Sequence, residues 1–141
     1  GMFSGASLAT PDTSLWDTTS VTDMSYMFLS ASAATPDTSL WDTASVTSMR
    51  AMFAFASAAT PDTANWNVET VTDMTNMFLG VTLPTASYDA MLIGFDAQTL
   101  KSNVNFHGGN STFCSAASAR ANMVSLDGWT ITDGGQACTP S

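Results

Sequence analysis

An α/β solenoid of 25-residue turn–strand–helix coils, closed by a C-terminal α/β cap, is the fold class this sequence predicts. Three observations predict it. The stretch TPDTSLWDTTSVTDMSYMF, from Thr10 to Phe28, returns from Thr35 to Phe53 and again from Thr60 to Phe78, each time at an offset of 25 residues. Five apolar rows are identical between copies. The period then fails after Phe78, where two helix-like patterns and two short apolar runs replace it. Self-similarity at a fixed period of this size signals repeating supersecondary units that bury their apolar faces against one another. The organisation expected is repeats over 1–82 (a partial copy 1–9, then 10–34, 35–59 and 60–82) and a cap over 83–141.

The unchanging rows are Met2/Met27/Met52/Met77, Phe3/Phe28/Phe53/Phe78, Trp16/Trp41/Trp66, Val21/Val46/Val71 and Met24/Met49/Met74. A Met and aromatic stripe can serve as an adhesive groove. Invariance between copies favours the plainer reading, a shared core column. Within a copy, Val21, Met24, Met27, Phe28 and Ala31 fall on one face of a short helix. Ser20 and Asp23, and Thr70 and Asp73, resemble capping boxes at its start. Thr-Pro-Asp-Thr is turn chemistry, and Leu15-Trp16-Asp17 suits a short strand.

Positions that change between copies are expected to face outward. Tyr26, Arg50, Phe55 and Asn76 are the candidate binding residues on that basis, against the alternative of drift on a solvated face. Two acidic rows, Asp12/Asp37/Asp62 and Asp17/Asp42/Asn67, are weak Ca²⁺ candidates, since carboxylates suit a hard cation. Hydrogen bonds within turns are the simpler account, and no EF-hand loop or glycine-rich calcium nonapeptide is present. No cofactor is expected otherwise. The threonine ranks, such as Thr22/Thr47/Thr72, suggest an ice-binding face as a remote alternative.

Composition narrows the function classes. The chain has 141 residues, 3 Lys and Arg against 12 Asp and Glu, and a net charge of -9. Nucleic acid and anionic lipid are therefore poor partners. No apolar run is long enough to span a bilayer. The chain opens in mid-repeat without a signal-like segment, so the expectation is either a signal peptide upstream in a longer protein or an excised fragment, for which Gly1 would be a cloning scar. In a secreted chain, Cys114 and Cys138 would form one disulfide, contributing roughly 3 kcal/mol; two free thiols are the alternative. His107 with Ser111 is a thin basis for a nucleophile and base, and two Cys with one His do not make a zinc site. No enzyme activity is expected.

The motif W-D-T-x-S-V-T-x-M-x-x-M-F, carried by Trp16–Phe28 and Trp41–Phe53, resembles the bacterial surface-protein repeat called BspA-like or DUF285. The resemblance covers Gly1 to about Val81. It implies a leucine-rich-repeat-like solenoid, an extracellular or bacterial cell-surface location, and adhesion to a protein or glycan on another cell. A structural spacer within a larger surface protein is the competing function. TPDTS stands where many members carry Phe-Asn-Gln-Asp.

In the cap, Thr85 is expected to cap a helix whose apolar face is Tyr88, Met91, Leu92 and Phe95. A strand should follow at Val104–Phe106, then a helix from Thr112 to Leu126 stopped by Gly128, and a last strand at Trp129–Ile131. Tyr88-Asp89, Ile93-Gly94 and the run from Gly128 to Gly135 resemble the region that often follows such arrays.

Overall fold

The computed structural model describes residues 3–10 and 12–138. Gly1, Met2 of the methionine row and Pro11 of the first turn lie outside the described residues. The elements are α1 (Thr85–Asp96), β1 (Asn105–His107), α2 (Ala117–Ser125) and β2 (Thr130–Thr132). β1 and β2 pair in parallel, with Phe106 opposite Ile131.

This overturns the predicted fold class. The α/β leucine-rich-repeat-like solenoid needs a strand and a helix in every copy, yet all four elements lie beyond residue 84. The described residues before that are turns, irregular segments and isolated bridges. Leu15-Trp16-Asp17 is not a strand, and residues 21–31 are not a helix.

The reason lies in the backbone hydrogen bonds. The N–H groups of Met24, Tyr26, Phe28 and Ser30 donate to the carbonyls of Ser48, Arg50, Met52 and Ala54, at 2.8–2.9 Å. Met49, Ala51, Phe53 and Phe55 do the same toward Asp73, Thr75, Met77 and Leu79. An amide that bonds a segment 24 residues away cannot also close an i→i−4 helical bond, and helices this short are marginal in water. Between these donors the chain makes four-residue turns, Met27 N–H to Met24 O and Ala31 N–H to Phe28 O. The third residue of each has positive φ, 61° at Tyr26 and 58° at Ser30. The i, i+3, i+4, i+7 spacing of apolar residues fits this winding as well as it fits a helix.

Asp23 and Asp73 accordingly cap nothing helical. Each carboxylate accepts the N–H two residues on, from Ser25 and Thr75.

The apolar rows form the core. Phe3, Phe28, Phe53 and Phe78 stack with centroids 5.4–5.5 Å apart, and Trp16, Trp41 and Trp66 stack at 5.9 and 6.2 Å. Such pairs contribute about 0.5–1.5 kcal/mol each beyond area burial. Met24, Met49, Met74, Met52, Met77, Val46 and Val71 are buried among them, whereas Val21 and Met27 of the first copy are only partly buried.

The bonding does not end where the sequence period does. Met74 N–H donates to Asn105 O and Phe78 N–H to His107 O. Asn105 in turn registers with Thr130, again 25 residues on. Six segments among the described residues, starting near residues 3, 23, 48, 73, 105 and 130, are thus bonded in parallel series. α1 is the insertion that hides the continuation.

All four cap elements differ from expectation in their starts. Thr85 does not cap α1: Pro84 occupies that position with no side-chain bond, and the Thr85 hydroxyl pairs with that of Thr112. α2 begins at Ala117 rather than Thr112 because the Asp89 carboxylate takes the N–H groups of Cys114, Ser115 and Ala116. β1 and β2 each lie one residue later than predicted. Gly128, at φ 68°, does follow α2; a Cβ there would meet Asn103 Oδ1 at 2.5 Å. Cys114 and Cys138 are disulfide-bonded, with Cα atoms 5.0 Å apart.

One column of positive φ gives a direct stability prediction. Gly5, Ser30, Phe55 and Gly80 occupy equivalent positions, at φ 74°, 58°, 59° and 78°. Left-handed backbone costs an L-residue roughly 1–2 kcal/mol. Gly80→Ala should therefore lower stability by about 1–2 kcal/mol, more because its Cβ would meet the Phe55 ring at 2.6 Å. Ser30→Gly, on an exposed site, should raise it by a few tenths to about 1 kcal/mol. Urea unfolding midpoints read both; equal midpoints would contradict the strain assignment.

Candidate binding face

The outer side of the parallel series carries the four residues singled out from the sequence. Tyr26 is 41% exposed and Phe55 52% exposed. Both sit on left-handed backbone, as do the buried Ala51 and the half-buried Asn76, at φ 51° and 57°. Sterics make bulky residues rare in that region. Arg50 reaches across to Asp73, Nη1 to Oδ2 3.7 Å, with both side chains well solvated. An ion pair of that kind contributes at most about 1 kcal/mol, so the guanidinium is available to a ligand.

Asn76 leads into a shallow groove of about 150 Å³, shared with Thr75, Asn105, His107, Thr130 and Thr132. Phe106 lines it as well, and the other side chains carry hydrogen-bonding groups. Asn105, Thr130 and Thr132 were not singled out from the sequence. The available signal was the 25-residue offset between Asn105 and Thr130, hidden by the failure of the apolar rows after Phe78. His107 was weighed only with Ser111, as a thin basis for a nucleophile and base. Its Nδ1 accepts the Gly109 N–H at 2.9 Å, which leaves Nε2 to carry the proton of the neutral ring. Ser111 is buried and its hydroxyl accepts the Leu83 N–H. His107 and Ser111 thus have separate partners.

The acidic rows are turn acceptors. Asp12 accepts from the Ser14 N–H and hydroxyl, Asp37 from those of Ser39, Asp17 from those of Thr19, and Asp62 from the Ala64 N–H. Asp42 and Asn67 accept the N–H groups of Ala44 and Glu69. Among the described residues, no three His, Cys, Asp or Glu side chains stand together as a metal site would require. In the threonine rank, the Thr47 and Thr72 hydroxyls donate to the carbonyls of Thr22 and Thr47.

These bonds set a pH response. The neighbouring hydroxyl first, and the N–H second, hold the carboxyls of Asp12, Asp17, Asp23 and Asp37 below their ordinary value of 3.8. A carboxyl depressed in the folded state stabilises fully above its unfolded pKa, and that contribution is lost as pH falls through the folded value. The melting temperature should therefore hold from neutrality to about pH 5 and decline below about pH 4. A maximum below pH 4 in a melting series would contradict this.

The sequence match follows the same span. A family model described as "Mycoplasma protein of unknown function, DUF285" matches residues 1–120. The chain belongs to the DUF285 family. The DUF285 match runs past Val81, through α1 and β1 and into α2, so it takes in much of what the sequence had set apart as a cap. No curated protein and no solved structure matches the chain. Among the described residues, no helix of this DUF285 chain is long and apolar enough to cross a membrane.

Proposed function

We propose that this chain is a non-catalytic interaction module, acting outside the cell or on a bacterial surface, that binds a protein or glycan through its outer face. The observation that carries the reading is the grouping of Tyr26, Arg50, Phe55 and Asn76 on one side of the parallel series, with two aromatic rings exposed at left-handed positions. Exposed aromatics and arginine are the residues that dominate binding energy at interfaces, and backbone strain retained at specific positions is a mark of function.

The disulfide supports an oxidising compartment. With only 3 basic residues, the surface is unsuited to nucleic acid and anionic membranes. His107, Ser111 and the aspartates of the two rows are engaged in turns or in backbone bonds, which supports binding over chemistry.

The test is a triple variant, Tyr26→Ser, Arg50→Ser and Phe55→Ser, measured against glycan arrays and intact cells. Loss of adhesion should accompany a melting temperature within a few degrees of the parent. Undiminished adhesion by the folded variant would reject this face. No adhesion by the parent in any arm would leave the chain as a structural spacer.

A further inference from the structure

Thr13 and Thr38 each send a hydroxyl to the next copy, to Asp37 O at 2.8 Å and Asp62 O at 3.0 Å. Their own carbonyls receive an indole N–H from that copy, Trp41 Nε1 and Trp66 Nε1, both at 3.1 Å. Thr63 is the third member of the row. It is 2% exposed, and its Oγ1 is the one buried side-chain N or O among the described residues with no partner. Met91 stands where a further Trp would supply the indole.

The segment after the third copy covers this end without giving the Thr63 hydroxyl a partner. Gln98 takes the Val68 N–H and donates to Trp66 O, each at 2.8 Å, and Thr99 N–H reaches Glu69. Gly94 lies hard against Ala64 O. Beyond that contact a groove of about 360 Å³ opens, with Thr60, Asp62 and Thr63 on one wall and Ala86, Ser87 and Ala90 of α1 on the other. Ala86 and Ser87 belong to the first turn of α1, which has no side-chain cap. Its leading N–H groups therefore have no intrahelical acceptor.

We propose that this groove is a second binding site, distinct from the outer face, which takes an extended peptide segment of a partner protein. A backbone carbonyl of that segment accepts from Thr63 Oγ1. A neighbouring N–H donates to the lone pair of Thr63 O that an indole fills in the earlier copies. The row itself indicates the ligand class, since a peptide carbonyl from a Thr-Pro-Asp-Thr turn is what Thr13 and Thr38 bind. The small side chains of Ala86 and Ala90 let a backbone come close. No aromatic ring lines the groove for a sugar to stack on, and the Asp62 carboxylate opposes an anion.

The test uses the full chain and an acetylated, amidated peptide of sequence TPDTSLWD, titrated by calorimetry to millimolar concentration. Saturable binding is expected. Thr63→Val, which keeps the shape and removes the donor, should weaken it roughly tenfold, equivalent to about 1.4 kcal/mol. Ala90→Phe, which fills the groove from an exposed helix position, should abolish it, while Tyr26→Ser leaves it unchanged. Without peptide, Thr63→Val should melt at or above the parent temperature, because a buried unpaired hydroxyl is lost. The proposal is overturned if no saturable binding appears, if Thr63→Val binds the peptide as the parent does, or if a neutral oligosaccharide displaces it. It is equally overturned if Thr63→Val alone lowers the melting temperature, the mark of a hydroxyl already paired with water.

Discussion

Replacing Arg120 with methionine should destabilise the protein by about 3 kcal/mol, a drop in melting temperature of roughly 10 °C for a chain of this size. Arg120 donates from Nε to Asp133 Oδ2 at 2.9 Å, from Nη2 to Asp133 Oδ1 at 3.3 Å, and from Nη2 to Ile131 O at 3.1 Å. Its guanidinium also lies 4.9 Å from the centroid of the Phe113 ring. The Asp133 side chain is 1% exposed, so removing its cation strands a charge away from water. Two acceptor bonds survive, from the Tyr88 hydroxyl at 2.7 Å and the Gly135 N–H at 2.9 Å. They keep the cost at the lower end of the roughly 3–5 kcal/mol typical for a broken buried pair.

Arg120→Lys should recover only part of this loss, because an ammonium cannot form the two-pronged contact or stack on Phe113 in the same way. Arg120→Met combined with Asp133→Leu should recover more, since the stranded charge is then gone. A loss below about 1 kcal/mol for Arg120→Met would mean that Asp133 is solvated in the folded state. The same cluster raises the Tyr88 hydroxyl far above its ordinary range, through burial first and the Asp133 carboxylate second. Tyr88 should therefore stay protonated until the protein unfolds in alkali. Because Asp133 directly follows β2, the variant should also loosen Thr130 and Thr132 in the outer groove.

None of this cluster was visible in the chain. Tyr88 and Asp133 are 45 residues apart, and Arg120 lies 13 residues before its carboxylate, with no repeat to align them. The core, by contrast, was legible because each copy buries the same Phe, Trp, Met and Val against its neighbour. The local winding was not. Gly5 and Gly80 mark left-handed corners, but Ser30 and Phe55 occupy the same corner without the glycine signature. A period-3.6 apolar pattern over so few residues then reads as helix. On the candidate face, Tyr26, Arg50 and Phe55 were legible as the positions that vary. Asn105 and Thr130 were not, because α1 interrupts the period before the parallel pairing resumes.

Asp89→Ala should cost about 3 kcal/mol even with the disulfide intact. Asp89 sits on the buried side of α1, 7% exposed, and its carboxylate caps another helix. Oδ1 accepts the N–H groups of Cys114 at 2.9 Å and Ala116 at 3.1 Å, and Oδ2 accepts that of Ser115 at 3.2 Å. Those amides lead into α2, where the helix dipole adds to the attraction for a negative group. Alanine would leave all three unpaired. Loss of an ordinary cap costs about 1 kcal/mol, and each further buried donor left unmade adds on the order of 1 kcal/mol or more. Asn is a graded control: its single carbonyl oxygen can serve Cys114 and Ala116, but its NH₂ faces the Ser115 N–H. Asp89→Asn should therefore retain more than half of the lost stability. Hydrogen exchange locates the effect. In Asp89→Ala the amides of residues 114–116 should lose protection first, while those of Phe53 and Met52 in the stacked core keep theirs. Unchanged protection at 114–116 would show that the Cys114–Cys138 link alone holds the start of α2, and that Asp89 is dispensable there.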